Sequence, residues 1–266
     1  MARRVDYDQI ANTYDRRYQQ NDYSGVEAAL TAFVGDRGKD RVLEVGCGTG
    51  HWLQCLGGTR FRVAGLDVSD QMLAYARAQA PSAALVQGSA EHLPWAGESF
   101  DRVFCINAFH HFQNKVAFLA EAIRVLRPGG LMMTVGLDPH AGVDQWYVYE
   151  YFDNVFEIDR RRYPASSQIR EWMRAAGFVD CVTREIQHLP VRLAARTALA
   201  QGRLDRSVTS QLSVLTDEEY RQGIARVREA VESAEARGEL LCLNADLRLY
   251  ATFGAAPSRV KEAGGV

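Results

Sequence analysis

The sequence lacks long apolar runs, a strong charge of either sign and any paired-cysteine motif. A helix that spans a bilayer needs about 18 or more apolar residues in succession, so no segment is expected to cross a membrane. The net charge of −2 does not favour general binding to nucleic acid or anionic lipid. The cysteines are five, widely spaced and without Cys-x-x-Cys, which argues against a disulfide framework or a structural zinc site. No secretory signal is visible after Met1, so we expect a reduced, cytoplasmic protein.

The composition is that of an ordinary globular protein, with 47% hydrophobic and 24% charged residues in a chain of 266. Between residues 41 and 136, short strand-like segments alternate with helical ones. This pattern predicts a parallel sheet with right-handed crossovers. The expected strands are 41–45, 61–66, 83–87, 101–106 and 131–136. Ser69 is expected to cap the helix that follows the second strand.

The two flanks of this region carry different patterns. The spacing over residues 5–34 predicts two helices. After residue 136 comes a dense aromatic run from Trp146 to Tyr163, and residues 191–238 are expected to be largely helical, with a capping box at Thr216. Further strands are expected at 178–185 and 247–253. The expected organisation is one domain: a helical cover (1–38), a cofactor-binding core (39–137), helical lid insertions (138–165 and 190–240) and a flexible tail (254–266).

The most informative stretch is Val42-Leu-Glu-Val-Gly-Cys-Gly-Thr-Gly50, in which three glycines follow a strand and precede a helix. Glycine lets the backbone approach a ligand closely because it carries no Cβ. Asp67 stands at the end of the next strand, 21 residues after Gly46. A carboxylate at that place accepts two hydrogen bonds from a ribose diol. Together, the loop and the acid predict a nucleoside ligand.

The loop spacing separates the candidate nucleosides. The stretch lacks the Gly-Lys-[Ser/Thr] ending of a P-loop, and its Gly-x-Gly-x-Gly spacing differs from the Gly-x-Gly-x-x-Gly of dinucleotide binders. Glu44 places a carboxylate before the loop, which is unfavourable beside a pyrophosphate but suits a cationic ligand. These features favour S-adenosylmethionine, which carries a ribose, an ammonium and a sulfonium but no phosphate. A nicotinamide oxidoreductase is the alternative, because the acid after the second strand is common to both.

Several motifs in chain order carry a family resemblance. The loop Glu44-Val-Gly-Cys-Gly-Thr-Gly50 resembles the first motif of class I S-adenosylmethionine-dependent methyltransferases, especially the UbiE/type 11 group of small-molecule enzymes. The other matching segments are Tyr7–Asp15, Gln87–Trp95, Glu98–Asp101, Asn107–Phe112 and Leu126–Gly130. The resemblance covers residues 5–136 and implies an α/β fold: a Rossmann-like, seven-stranded, mostly parallel sheet with an N-terminal helical cover and helical lid insertions.

The resemblance also implies roles for individual residues. Glu44, Gly46, Cys47 and Gly48 would face the methionyl part of the cofactor, and Asp67 would hold its ribose. The remaining positions are Tyr14 over the methionine end, Met72 beside the adenine, Ser89, Ala90 and Glu91 around the adenine, and Asn107 with its carbonyl on the ammonium. The family often has an acid where this chain has Ser89. Met72 has an alternative interpretation as ordinary core packing.

Methyl transfer needs little from the protein beyond placement of the nucleophile, exclusion of water and sometimes removal of a proton. His110 and His111 follow the fourth strand, where a doubly wound sheet opens to its ligands, and are the candidate general bases. A structural role at that corner is the alternative. The aromatic run is interpreted partly as lid core and partly as an acceptor-selecting wall.

The sequence therefore predicts an enzyme that transfers a methyl group from S-adenosylmethionine to a small-molecule acceptor, at oxygen in preference to nitrogen or carbon. A non-catalytic S-adenosylmethionine-binding subunit is a second alternative. No metal, nucleic-acid partner or membrane partner is expected, and the chain is expected to be a monomer or homodimer.

Overall fold

The computed structural model describes residues 7–11, 14–35, 40–57 and 61–259 and divides into two compact units. The sheet unit comprises Glu27–Gly136, Ser166–Arg184 and Tyr250–Val266, and the helical unit comprises Met1–Val26, Leu137–Ala165 and Glu185–Leu249. Across the described residues, every helix is too short or too polar to cross a bilayer. The expectation of a single domain stays a prediction. Its boundary at 38/39 lies outside the described residues.

The sheet unit carries the alternating part of the chain. Its strands are β1 (Arg41–Val45), β2 (Arg62–Asp67), β3 (Ala84–Gln87), β4 (Phe100–Ile106) and β5 (Leu126–Gly136). It also contains residues 179–184 of β7 (Val179–Ala194) and residues 250–255 of β8 (Cys242–Ala255). Its helices are α4 (His51–Cys55), α5 (Asp70–Gln79), α6 (Lys115–Val125), α9 (Ser166–Ala175) and most of α3 (Ser24–Val34).

Five parallel strands lie in the order β3-β2-β1-β4-β5, and β8 pairs antiparallel with β5. Val45 pairs with Leu66, and Glu44 pairs with Phe104, so the carboxyl ends of β1, β2 and β4 meet at one edge. That edge is where open parallel sheets bind ligands. Successive residues of β1 and β2, and the last four residues of β4, are buried, as expected of a parallel sheet that helices cover on both faces. The α/β fold with a mostly parallel sheet is thereby confirmed.

The helical unit is built around the aromatic run. Its helices are α1 (Tyr7–Ile10), α2 (Arg16–Gln20), α7 (Tyr147–Tyr151), α8 (Val155–Arg162), α10 (Ala195–Ala200), α11 (Ser210–Ser213) and α12 (Asp217–Ala236). It also contains the strand β6 (Gln145–Trp146), residues 185–194 of β7 and residues 242–249 of β8. The capping box at Thr216 is confirmed, with both of its hydrogen bonds to Glu219 present. Phe152 packs directly on the backbone of α12, where a Cβ on Gly223 would overlap its ring.

The strand count and the start of β5 need correction. The expected count of seven becomes eight, because the two-residue β6 pairs with β8 through Gln145↔Asp246 and Trp146↔Ala245. Two residues are too short to produce a sequence period. β5 begins at Leu126 and not at Leu131, since Leu126 pairs with Phe100 before a bulge.

The later strands are longer than the sequence predicts. β7 continues to Ala194, so the helical insertion expected from residue 190 begins as strand. Its second half shows the period-two pattern of a half-buried strand, because the side chains at 187, 189, 191 and 193 are more buried than those at 188, 190 and 192. β8 reaches Ala255, and Ala256 donates a hydrogen bond to the Gly130 carbonyl. The expected tail is therefore wrong at residues 254–256, and residues 260–266 lie outside the described chain.

The N-terminal pattern resolves into three helices, α1 to α3, where two are expected. Tyr14 and Asp15 form a turn between α1 and α2. Asn21 ends α2, because its backbone and side-chain amides both donate to the Arg17 carbonyl. The start of the first expected helix, before Tyr7, lies outside the described residues.

Candidate functional site

The glycine loop turns tightly from β1 into α4. Gly46, Gly48 and Gly50 have φ of +76°, +52° and +84°, which only glycine adopts at low cost. The backbone N–H groups of Gly46 and Cys47 both donate to the Leu66 carbonyl, at 2.7 and 3.0 Å. The loop is therefore fastened to the end of β2.

Asp67 joins the same loop through its side chain. Its Oδ2 accepts the N–H of Gly48 at 2.8 Å, and its Oδ1 accepts the N–H of Ser69 at 2.9 Å. An ionised carboxylate accepts about four hydrogen bonds, so these two orient the group and leave it able to bind hydroxyls. The predicted ribose-binding acid is thus held in place by backbone donors. Ser69 caps α5, as expected, by accepting the Met72 N–H at 3.0 Å.

Glu44 is a buried carboxylate on β1, 1% exposed, whose Oε2 has no hydrogen-bond partner among the described residues. Burial, together with the nearby Asp67, raises the pKa of Glu44 well above its usual value. A buried carboxylate without a counter-charge is unfavourable. A cation placed beside it would be stabilised. The thiol of Cys47 is also buried, which raises its pKa well above the usual value and keeps it protonated.

The loop also packs against the end of β4. A Cβ on Gly46 would lie 2.5 Å from the Cβ of Ala108, so this position needs glycine for space as well as for its φ. Asn107 has a left-handed φ of +52° and donates its N–H to the Val135 carbonyl at 2.8 Å. Asparagine tolerates this conformation better than most residues, and such backbone often marks functional sites.

The two candidate bases lie in a single short 3₁₀ turn, Phe109–His111. His110 is 8% exposed, His111 is partly exposed, and their ring centres are 3.8 Å apart. They therefore follow β4 at the edge where β1 and β2 also end. Their catalytic role stays a prediction.

The residues expected around the adenine lie in the loop after β3. Ala90 is buried in the main apolar core. The Ser89 hydroxyl donates to Oε2 of Glu91, while Oε1 of Glu91 accepts the N–H groups of Gln113 and Asn114 at 2.7 and 3.0 Å. Burial opposes ionisation of Glu91, but these hydrogen bonds outweigh it and lower its pKa. Glu91 thus fastens its loop to the start of α6. Met72 is 1% exposed, as its core-packing interpretation requires.

The predicted residue Tyr14 belongs to the helical unit, where the Arg17 guanidinium lies 3.8 Å from the centre of its ring. The aromatic run mixes core and polar contacts. Tyr147 is buried in the apolar cluster of this unit, whereas the Tyr149 hydroxyl donates to Oδ2 of the fully buried Asp159 at 2.9 Å. Burial raises the pKa of Asp159 to about 6, although Arg162 beside it acts in the opposite direction.

Sequence reasoning missed two contacts of the site. Ala108 packs against Gly46, and Ser69, beyond its expected capping role, donates its N–H to Asp67; a small residue after a strand gives no signal of such a contact. No group of three or more His, Cys, Asp or Glu side chains suited to a metal occurs within the described ranges.

Comparison with known proteins adds the family. Residues 43–134 match the family described as "Methyltransferase domain". The matched residues make up less than half of the chain. The match spans β1 to β5 of the sheet unit, including the glycine loop, Asp67 and both histidines, and confirms the family resemblance of the sequence.

Two curated relatives and one solved structure are similar to the chain. Phthiotriol/phenolphthiotriol dimycocerosates methyltransferase of Mycobacterium leprae is 38% identical over 41% of this chain and 42% of its own length. Fatty-acid O-methyltransferase of Mycolicibacterium smegmatis is 37% identical over 44% of each chain. The chain thus spans less than half of these relatives. The structure of Haemonchus contortus phosphoethanolamine N-methyltransferase 2 with S-adenosyl-L-methionine shares the fold, with TM-score 0.60, 18% identity and coverage of 95% of this chain and 57% of that one.

Proposed function

We propose that the chain is a methyltransferase that uses S-adenosylmethionine and methylates a small-molecule acceptor, at oxygen in preference to nitrogen or carbon. One observation carries the proposal: Glu44, whose buried Oε2 has no hydrogen-bond partner among the described residues, stands on the strand that leads into a left-handed glycine loop, and this loop is bonded to Asp67. A ligand with a positive charge beside Glu44 and a diol beside Asp67 would match these two carboxylates, and neither calls for a phosphate. The residues present therefore fit the cofactor of the family.

The proposed binding roles follow from these groups. Glu44 pairs electrostatically with the cationic methionyl part, and Asp67 accepts hydrogen bonds from the ribose hydroxyls. Gly46, Cys47 and Gly48 allow the backbone to approach closely. Ser89, Ala90 and Glu91 line the adenine with Met72, Asn107 offers its carbonyl to the ammonium, and Tyr14 covers the methionine end. When bound, the cofactor supplies an electrophilic methyl group.

Acceptor chemistry is supported by the names of the relatives. One methylates fatty acids at oxygen, and the other is named for phthiotriol and phenolphthiotriol dimycocerosates. We infer an acceptor with an apolar or aromatic body.

His110 and His111 are proposed as the groups that remove a proton from the acceptor. Imidazole suits this role near neutral pH. Replacing each by glutamine and recording the pH dependence of kcat separates the two histidines. If a histidine acts as the base, its variant loses the acidic limb of the profile and at least tenfold in kcat. An unchanged profile in both variants would show that neither acts as the base.

Calorimetry with S-adenosylhomocysteine and NADH tests the cofactor, and a screen of small acids, phenols and amines for S-adenosylhomocysteine release tests turnover. Binding of S-adenosylhomocysteine but not of NADH, with turnover of at least one acceptor, is expected. Binding of NADH alone would refute the proposal in favour of an oxidoreductase. Cofactor binding without turnover of any acceptor would favour the non-catalytic alternative.

A further inference from the structure

The loop after β3 lies at the edge of the sheet unit where Asp67 stands. Gln87, the last residue of β3, pairs with Asp67, and the next residue, Gly88, donates its N–H to the Asp67 carbonyl at 2.9 Å. Val68, which follows Asp67, is a large apolar residue that is 71% exposed. An exposed apolar side chain beside the proposed ribose-binding acid suits the flat face of a nucleobase. Ser89 directly follows this junction and is also exposed.

Glu91 determines how the Ser89 hydroxyl is bonded. The hydroxyl donates its proton to Oε2 of Glu91, and the Glu91 N–H donates to the Ser89 Oγ at 3.3 Å. A serine hydroxyl has one proton to donate and two lone pairs that accept. The proton and one lone pair are therefore used within the loop. What Ser89 offers a ligand is the second lone pair, which accepts a hydrogen bond and cannot donate one.

The direction of this hydrogen bond follows from the charge of Glu91. Its Oε1 accepts the N–H groups of Gln113 and Asn114 at the start of α6. Backbone donors and the positive end of a helix dipole both favour an ionised carboxylate. Burial acts against ionisation, yet the hydrogen bonds, that of Ser89 first, keep the pKa of Glu91 below its usual value. An ionised carboxylate carries no proton, so the serine hydroxyl has to be the donor.

We propose that Glu91 is a positioning residue that makes Ser89 an acceptor for the exocyclic amino group of the bound base, so that the site selects adenine over hypoxanthine. This inference rests on the proposed methyltransferase function. Adenine carries an amino group, which donates, where hypoxanthine carries an oxo group, which only accepts. An oxo group that faces the remaining lone pair of Ser89 finds no donor there. A polar group that loses water without gaining a partner lowers affinity, here by about tenfold.

Calorimetry with S-adenosylhomocysteine and S-inosylhomocysteine, which differ only in the base, tests the selection. The intact chain is expected to bind the adenosyl compound about tenfold more tightly. Ser89→Ala removes the acceptor and should abolish most of this preference. Equal binding of the two compounds by the intact chain, or an unchanged preference in Ser89→Ala, would overturn the inference, and the first comparison needs no variant to fold. Failure of the intact chain to bind S-adenosylhomocysteine refutes the proposed function instead.

Glu91→Gln tests whether Glu91 acts through Ser89. The N–H groups of Gln113 and Asn114 should retain the amide oxygen, so that the amide NH2 faces Ser89 and donates to it. The serine proton then points to the ligand, where it donates to the oxo group. Glu91→Gln should therefore bind S-inosylhomocysteine more tightly than the intact chain does and S-adenosylhomocysteine more weakly. The preference for the adenosyl compound should fall by about tenfold.

A control and a double variant separate this role from a merely structural one. Glu98→Gln is the matched control, because Glu98 is an exposed carboxylate in the same connection between β3 and β4, where it pairs with Arg259. It should leave the ratio of the two affinities unchanged. In Ser89→Ala, adding Glu91→Gln should not alter the ratio further, because its effect depends on the serine. Loss of affinity by the same factor for both compounds in Glu91→Gln would mean that Glu91 only holds the loop in place, and would overturn the inference.

Discussion

The N–H of Gly48 donates a 2.8 Å hydrogen bond to Oδ2 of Asp67, so the glycine loop and the acid of the second strand form one piece of structure. Since Oδ1 of the same carboxylate binds the Ser69 N–H, Asp67 also fixes the start of α5. A single side chain thereby sets the relative placement of the glycine loop and the start of α5.

Asp67→Asn should weaken binding of S-adenosylhomocysteine by about tenfold or more. The change removes a charged acceptor, whose hydrogen bonds are worth about 1.5–3 kcal/mol each, and turns an amide NH2 toward a backbone donor. Calorimetry measures the loss. Asp70→Asn is the control, because Asp70 pairs with Arg77 on the exposed side of α5. Equal affinities for the two variants would contradict a ribose-binding role.

Gly46→Ala should lower the free energy of unfolding by about 2–5 kcal/mol. A left-handed alanine costs about 1–2 kcal/mol, and the overlap with Ala108 adds about 1–3 kcal/mol of overpacking. Denaturant titration gives the value. Gly35→Ala is the matched control, since Gly35 has φ of +67° with nothing within 4 Å of its Cβ position.

The double variant Gly46→Ala with Ala108→Gly isolates the contact. If the overlap matters, the double variant loses less than the sum of the two single changes. Additive losses would mean that the backbone conformation alone accounts for the effect.

Glu44→Gln should stabilise the ligand-free protein increasingly as pH rises. A carboxyl whose folded pKa is raised stabilises the fold at pH values below its unfolded pKa and loses that contribution as pH rises through the folded pKa. Glutamine does not ionise, so it causes no such loss of stability as pH rises. Thermal unfolding from pH 5 to 8 should therefore show the Tm of Glu44→Gln moving above that of the intact chain. Burial raises the pKa of Asp144 and of Asp159 to about 6, and both groups change the Tm of the intact chain and of the variant in the same way.

The same variant should bind S-adenosylhomocysteine more weakly. A cation beside Glu44 favours its ionised form, so the intact chain should bind more tightly as pH rises, while Glu44→Gln should show a flatter profile. A Tm difference that shrinks with pH would contradict the assigned direction of the Glu44 shift.

Tyr149→Phe should alter acceptor turnover more than cofactor affinity, as should the harsher Tyr147→Ala and Tyr149→Ala. The phenylalanine change removes only the hydroxyl that Asp159 accepts, whereas Tyr147→Ala also opens the apolar cluster at a cost of about 3–5 kcal/mol. We expect kcat/KM for the acceptor to change at least fivefold and the Kd of S-adenosylhomocysteine to stay within twofold. Equal loss of both, or of neither, would argue against an acceptor-selecting role.

Elements with a strong local signal could be predicted from the sequence. The strands from Arg41 to Ile106 are short and rich in apolar residues, and Ser69 and Thr216 have the side chains that cap helices. The glycine loop and Asp67 lie where their spacing predicts because parallel strands end at one edge.

The rest depends on contacts distant in sequence. β6 has only two residues and is defined by its pairing with Ala245 and Asp246. The bonds of Glu91 to Gln113 and Asn114 join segments more than 20 residues apart, which no local pattern encodes.

Phe152 lies against the bare backbone of Gly223, and its ring stacks with that of Tyr220 at 6.1 Å. Exchanging a mid-helix glycine for alanine is a common engineering step, worth about 1 kcal/mol of helix propensity. In this protein that exchange would displace an aromatic side chain that is 1% exposed. Replacing Gly223 by alanine to stabilise α12 would therefore disturb the packing of the core of the helical unit.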